Sequence, residues 1–214
     1  MSDNKMDTEA DKAKLAANPI VWCAMSDTFG RELKAKAYLE EKEVECFVPM
    51  QYRLVRDRNG RKERRLMPAV SNLLFAHTTK ERIQELKKDH PYLQYHTFHV
   101  EGVNRPIIVP DGDMQRFISV CETHDERLLY LSPDEVRLAS GTPVKIIGSK
   151  FDGVEGTFMR VEGKRKKHVV VCIQGVAAVA IATLEDCYLQ PSSSDLRTLP
   201  WEGLGEGPVT ASRS

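Results

Sequence analysis

The sequence predicts an α+β protein with two units: a mostly antiparallel sheet flanked by helices, followed by a small five-stranded β-barrel. Residues 20–121 alternate short apolar runs with helical patterns, and an Asn-Gly hairpin signal lies among them. Residues 137–191 hold five short apolar runs separated by turns that contain glycine. Residues 1–18 and 192–214 are polar, or rich in serine, glycine and proline, which favours disordered tails.

The elements of the first unit follow from apolar periodicity and from helix and turn signals. Several of the apolar segments begin or end at a proline, and Thr78 or Thr79 is a candidate N-terminal helix cap. The predicted elements are a strand at 20–25, a helix at 30–42, strands at 44–48 and 73–77, a helix at 80–88, a strand at 95–100, an edge strand at 106–109, and a helix that begins near 110 and buries Met114, Phe117, Ile118 and Cys121.

A basic hairpin is predicted between residues 51 and 67. Asn59-Gly60 lies between two extended arms, a pattern typical of a tight hairpin turn. The arms and the turn hold seven cations against the acids Asp57 and Glu63. They suit contact with the phosphates of DNA or RNA, and they equally suit a solvated hairpin whose charges resist edge pairing. The seven are Arg53, Arg56, Arg58, Arg61, Lys62, Arg64 and Arg65.

Composition, net charge and the absence of known motifs in the sequence argue against several classes of function. Formal net charge is zero, so no global field draws the chain to nucleic acid or membrane. The five cysteines are scattered without a CxxC pair, which favours free thiols in a reducing cytosol. No apolar run approaches the roughly 20 residues of a membrane helix. Without a phosphate loop, a nucleophile–base pair or a metal-ligand spacing, the sequence predicts neither an enzyme nor a bound cofactor or metal.

The stretch Gly141 to Phe158 resembles a KOW motif, and the chain before it resembles the NusG N-terminal (NGN) domain. A run Val144 to Ile147 is followed by a glycine loop, and Gly156 stands at the KOW glycine position. The NGN pattern is carried by Trp22, Gly30, Glu32, Ala35 and Leu39, and by Arg64-Arg65-Leu66-Met67-Pro68 before Leu73-Leu74-Phe75. The strand Glu45 to Pro49 and the arginine-rich hairpin are most similar to UpxY, the specialised NusG paralogues that control capsular polysaccharide operons in Bacteroides-type bacteria.

The resemblance implies both domains and partners. The boundaries expected are an NGN domain at 19–124, a linker at 125–136 and an SH3-like KOW barrel at 137–191. Such a protein binds the clamp helices of the largest RNA polymerase subunit and suppresses pausing or termination, as a cytoplasmic monomer without chemistry of its own. The polymerase-binding residues implied are Phe29, Arg31, Leu66, Met67, Pro68 and Phe75.

The KOW unit is expected to reach a second protein. The motif residues implied are Gly148, Phe151, Gly153 and Gly156. The family's Phe-Gly-Arg turn, which reaches Rho or a ribosomal protein, reads Gln174-Gly175-Val176 here, which favours a specialist over the housekeeping factor. An RNA-binding or ribosome-associated KOW protein without a polymerase role remains the alternative, because the chain is locally basic.

Overall fold

In the computed structural model, residues 18–28, 30–56, 58–100, 102–131, 141–161, 164, 167–173, 176–182 and 188–192 are described. They form a mixed α+β structure whose strand pairs are antiparallel. The helices are α1 (Glu32–Glu41), α2 (Lys80–Asp89) and α3 (Asp111–Cys121). The strands are β1 (Val21–Asp27), β2 (Glu45–Phe47), β3 (Met50–Arg56), β4 (Lys62–Pro68), β5 (Leu74–Thr78), β6 (Leu93–Tyr95), β7 (Thr97–Val100), β8 (Val103–Pro106), β9 (Ile108–Val109), β10 (Leu129–Leu131), β11 (Thr142–Ile147), β12 (Glu155–Arg160), β13 (Lys167–Ile173), β14 (Ala177–Ala182) and β15 (Tyr188–Pro191).

The first sheet has β1 at its centre and is covered on both faces. Its order is β2-β5-β1-β6, and β9 also pairs with β1. Cys23 and Met25 point towards α1 and α2, in one buried cluster with Leu39 and Ile83. Trp22 on the opposite face belongs to a second cluster, on the side of α3. Because both faces are buried, the strand is continuously apolar from Val21 to Met25 rather than alternating.

Local signals explain where the helices begin. Thr79 caps α2, since its hydroxyl oxygen accepts a hydrogen bond from the backbone N–H of Arg82 at 3.2 Å. Two lysines in the last turn of α2 complement the helix dipole. α3 carries Asp111 and Asp113 in its first turn, where negative charge is favourable for the same reason.

α3 contacts both sheets. Its Phe117 lies edge-on to Phe75 of β5, with ring centroids 5.9 Å apart, and to Phe47 of β2 at 6.4 Å. The same helix packs against β13 and β14 of the second sheet. One continuous buried cluster therefore includes Phe117, Val171 of β13 and Val179 of β14, so the two units share part of their core.

Among the residues that the structure describes, the second sheet has six strands, not the five predicted. Their order is β10-β14-β13-β12-β11-β15 among the described residues. The extra strand, β10, lies inside the segment 125–136 predicted as a linker, and it pairs with β14. The reason is its composition: Leu131 is buried on one face of the sheet while Tyr130 packs into the cluster on the other. An apolar segment beside an open sheet edge buries more surface as a strand than as a connection.

Residues 97–106 also differ from the prediction. A strand at 95–100 and an edge strand at 106–109 were expected, but β7 and β8 form a separate two-stranded hairpin. Its turn includes Gly102 with φ of +80°, a conformation that glycine adopts without strain. The hairpin exposes Phe98 and Val103, so it does not extend the first sheet's core.

Candidate nucleic-acid interface

The predicted basic hairpin is present as β3 and β4. Arg53 pairs with Arg65 and Arg56 with Lys62, so the two arms are in register along their whole length. Gly60 at the turn has a φ of +79°, which the Asn-Gly signal anticipated. Because side chains alternate along a strand, Tyr52, Leu54 and Arg56 share one face of this ribbon. Asp57 lies outside the described residues.

The cations at the base of the hairpin are engaged within the protein. Arg53 donates from Nη2 to the carbonyl oxygen of Ala69 at 3.0 Å. Arg65 forms an ion pair with Glu63 at 2.7 Å. These contacts orient the side chains along the hairpin and use up donors that a partner would otherwise meet.

Arg64 is the third engaged cation, and it joins the hairpin to the connection after α3. Its Nη2 lies 2.6 Å from Oε1 of Glu126. Its guanidinium carbon lies 4.0 Å from the centroid of the Tyr52 ring, a cation–π contact. No local sequence signal pointed to Glu126 as the partner of Arg64, because the two residues are far apart in the chain.

The four cations at the far end of the hairpin are exposed. Arg56, Arg58 and Lys62 form no ion pair with any residue that the structure describes. Arg61 is also exposed but has an interaction of its own. All seven predicted nucleic-acid residues are therefore exposed, and Arg53, Arg64 and Arg65 also have partners among the described residues.

The residues predicted to bind polymerase lie in three different environments. Leu66 is 39% exposed beside Tyr52, its cross-strand partner, and Met67 and Pro68 are half-buried at the hairpin base. Phe29 lies outside the described residues. Phe75 is a correction: it is fully buried against Phe117, so its side chain is core and not contact surface.

Arg31 lies near the base of the β3–β4 hairpin, because Asn72, in the loop after β4, forms hydrogen bonds with both neighbours of Arg31. The backbone N–H of Gly30 donates to Oδ1 of Asn72 at 3.0 Å, and the N–H of Asn72 donates to the buried carboxylate of Glu32. Asn72 has a φ of +57°, a left-handed conformation that asparagine tolerates better than most residues. The guanidinium of Arg31 lies 5.0 Å from the ring centroid of Tyr92. Sequence reasoning missed Asn72, whose signal was an asparagine in a loop that needs a positive φ.

The connection after α3 holds the hairpin base as well. The hydroxyl of Tyr130 donates to the carbonyl oxygen of Met50 at 3.3 Å, and the ring of His124 lies edge-on to Tyr52. Burial raises the pKa of the Cys121 thiol to about 12, so this thiol stays protonated at neutral pH. The pKa of the neighbouring Tyr130 is raised by burial too. These groups are structural rather than reactive.

Asp125 links this connection to the second sheet's loop. Its carboxylate accepts from Arg127 at 2.8 Å and from Lys150 at 2.6 Å. The hydrogen bond from Arg127, followed by that from Lys150, holds the pKa of Asp125 well below its usual range, against the opposing effect of burial. Lys150 belongs to the loop between β11 and β12, so the ion pair joins the connection after α3 to the second unit.

We expect Asp125→Asn to lower the free energy of unfolding at pH 7 by about 1–2 kcal/mol, because it removes the ion pairs with Arg127 and Lys150. The loss stays this small because both cations are exposed and solvent screens their charge. A carboxyl whose folded pKa is depressed contributes stability above its unfolded pKa of about 4 and loses it as pH falls through the folded value. The difference between wild type and variant should therefore shrink below pH 4. Urea titrations at pH 7, 4 and 2.5 measure it, and a difference that is independent of pH would contradict this role.

The predicted KOW residues occupy the β11–β12 loop and the following strand. Gly148 and Gly153 have φ of +83° and +81°, and the N–H of Gly148 donates to Oδ1 of Asp152 at 2.6 Å. Phe151 is buried in the shared core. Val176 is a correction to the predicted partner turn, because its side chain is only 8% exposed. Gln174 and Gly175 lie outside the described residues.

Gly156 is required by close packing of β12 on β13. A Cβ at this position would lie 2.8 Å from Cγ1 of Val169 and 2.8 Å from the backbone oxygen of Val170. The backbone atom cannot move aside without disturbing the strand pairing. We expect Gly156→Ala to destabilise the protein by about 1–3 kcal/mol. Thermal denaturation compares it with Gly112→Ala on α3, where the nearest atom is a flexible arginine side chain at 3.8 Å, and equal midpoints for the two variants would refute the steric argument.

Among the described residues, no three histidine, cysteine or carboxylate side chains are grouped as metal ligands would be. No helix within the same ranges has the length and apolar character of a membrane span.

A comparison with known protein families matches most of the first unit. Residues 21–118 match the family model described as "NusG: Transcription termination factor nusG". A solved structure titled "Domain interaction in Thermotoga maritima NusG" is similar over 78% of this chain and 95% of its own, with 17% identity and a TM-score of 0.40. The comparison with curated proteins gives no match. The similarity to the NusG family thus covers residues 21–118, and the six-stranded sheet lies beyond the matched range.

Proposed function

We propose that this protein is a transcription elongation and antitermination factor that binds RNA polymerase through its first unit. The observation that carries the proposal is the match of residues 21–118 to the NusG family model. The protein breaks and makes no bond; it acts by occupying a surface of the polymerase, at the clamp helices of the largest subunit. An elongation complex also offers nucleic acid to the exposed tip of the hairpin.

The polymerase contact is assigned to the base of the hairpin and the start of α1. Leu66 is an exposed aliphatic side chain with half-buried Met67 and Pro68 beside it. Arg31 is brought towards the loop after Pro68 by the hydrogen bonds of Asn72. Exposed apolar side chains at such a position gain free energy from a partner that covers them.

The second sheet is proposed to be a KOW domain with a specialised role. The loop glycines with positive φ and the close approach at Gly156 support this. The turn at 174–176 lacks the aromatic and the arginine of the housekeeping family members. With the arginine-rich hairpin, this favours a UpxY-type cytoplasmic monomer that serves one operon, such as one for capsular polysaccharide synthesis, over a general factor that recruits Rho or a ribosomal protein.

A reconstituted transcription assay tests the proposal. Purified protein is added to RNA polymerase on the leader of its own operon, and read-through of pause and termination sites is measured beside co-purification with the polymerase. We expect binding and increased read-through. A protein that binds structured RNA with the same affinity whether or not polymerase is present, and leaves read-through unchanged, is instead the RNA-binding or ribosome-associated protein that the basic hairpin also allows.

A further inference from the structure

One face of the β3–β4 hairpin combines exposed apolar side chains with cations. Residues paired across the two strands share a face with every second neighbour along each strand. The face that contains Leu54, called the Leu54 face below, has three apolar members and three cations. Its members are Tyr52, Leu54, Arg56, Lys62, Arg64 and Leu66.

The apolar part of the Leu54 face is uncovered. Leu54 is 72% exposed, the highest value among the large apolar side chains that the structure describes. Its cross-strand partner Arg64 lies over the ring of Tyr52 instead. A two-stranded ribbon has no second layer of its own, and clustered exposed apolar side chains gain free energy when a partner covers them.

The cationic part of the same face is also available to a partner. Arg56 and Lys62 lie opposite each other and form no ion pair with another residue that the structure describes. A segment that carries both apolar side chains and acids would therefore match the Leu54 face in both of its properties.

Such a segment occurs later in the same chain, among residues 193–214, which lie outside the described residues. Residues 195–206, called the tail segment below, hold four large apolar side chains and three acids against one base. The apolar members are Leu196, Leu199, Trp201 and Leu204, the acids are Asp195, Glu202 and Glu206, and the base is Arg197. A stretch that only needs to stay solvated has no use for a tryptophan and three leucines.

The second exposed hairpin, β7–β8, is less well matched to the tail segment. It exposes Phe98 and Val103, but Arg105 is the only arginine or lysine in its two strands. The tail segment carries three acids, so charge complementarity favours the Leu54 face.

A series of contacts leads from the Leu54 face to the strand from which the tail leaves. Arg64 is paired with Glu126, and the adjacent Asp125 is paired with Lys150. Lys150 lies in the loop after β11, and β11 pairs with β15. The described chain ends at Ser192, directly after β15.

The length of the chain after β15 suits an intramolecular contact. Nine residue steps separate Ser192 from Trp201, and they extend to at most about 30 Å. A short tether gives an effective concentration of about 1 mM, so even a contact with a Kd of about 1 mM is half formed.

We propose that the tail segment docks on the Leu54 face of the same molecule, with its apolar side chains against Leu54 and Leu66 and its acids opposite Arg56 and Lys62. Because Leu66 is then covered, the polymerase has to displace the tail segment before it binds. This consequence rests on the proposed function, whereas the docking itself does not.

The test measures acrylamide quenching of Trp201 fluorescence in the full chain. Trp22, the other tryptophan, is buried, and a Trp201→Phe variant supplies its emission for subtraction. We expect the quenching constant of Trp201 to be at most about half that of a synthetic peptide of residues 193–207. Leu54→Glu, which places a carboxylate against the tail's acids, should raise it at least about twofold. Val103→Glu makes the same change on β7–β8 and should leave it as in the wild type.

Four results would overturn the docking. They are a wild-type Trp201 as quenchable as the peptide, protection that Leu54→Glu leaves intact, an equal rise in Leu54→Glu and Val103→Glu, and protection that grows with protein concentration. The last result would assign the tail segment to a second copy of the chain.

A separate measurement tests the masking of the polymerase contact. Trp201→Ala/Leu204→Ala in the full chain should raise the affinity for purified RNA polymerase about twofold or more, because the docked state no longer competes. An unchanged affinity would show that the tail segment does not mask this contact. A wild type that fails to bind polymerase would count against the proposed function alone, because the quenching experiment contains no polymerase.

Discussion

Replacing Phe117 by alanine is expected to lower the free energy of unfolding by about 3–5 kcal/mol. The ring is fully buried and lies edge-on to Phe47 and Phe75, and its cluster extends into the second sheet. Truncation leaves a cavity that the two sheets cannot close, because each is held by its own strand pairing. Urea denaturation followed by far-UV circular dichroism measures the loss.

The matched control is Phe98→Ala, the same truncation at an exposed position of β7. It should cost less than about 1 kcal/mol, since surface substitutions change stability little. If Phe117→Ala cost no more than this control, the shared core would not exist as described. Because that core joins both units, we also expect the wild type to unfold in one transition, which coincident fluorescence and dichroism curves check.

Leu66→Glu is expected to weaken binding to RNA polymerase by at least about 30-fold, the effect of losing an interface position worth about 2 kcal/mol. The expectation rests on the proposed function. A carboxylate at this exposed aliphatic position would be buried unpaired under the partner, which is costly. Pull-down titration with purified polymerase measures the affinity, and read-through on the operon leader should fall in parallel.

Val103→Glu provides the control for that experiment. It places the same charge at an exposed aliphatic position on the β7–β8 hairpin, which carries none of the residues assigned to the polymerase contact. Its affinity should stay within about twofold of wild type, since a rim position contributes little. Equal weakening by both substitutions would point to a general charge effect and remove Leu66 from the interface.

Local signals were sufficient for much of the fold. The β3–β4 hairpin followed from Asn59-Gly60, and α2 from the Thr79 cap and its apolar spacing. The strand β10 was missed because Leu129–Leu131 reads equally well as a buried connection, and only the open edge of β14 decides between the two. When two strands that are far apart in the chain pair with each other, neither segment alone carries a sequence signal for that pairing.

The same limit applies to the candidate site. The cationic character of the hairpin was readable from its residues, but the partners of Arg53 and Arg64 were not. Glu126 and Ala69 reach these side chains only through tertiary structure. Phe75 was assigned to the contact surface through the family resemblance, although its apolar run is typical of a buried strand; its burial against Phe117 of α3 shows that it belongs to the core.

The placement of α3 between the two sheets determines how the second unit can separate from the first. The helix touches β1 on one side and β13 and β14 on another, so departure of the second sheet would hydrate apolar side chains that both units now use. Such a separation should therefore be as slow and as costly as local unfolding. It should not resemble the fast motion of a domain on a flexible linker. The side chains of Phe117 and Val171, which lie in the cluster that both units share, should accordingly become exposed to solvent only at the pace of that separation.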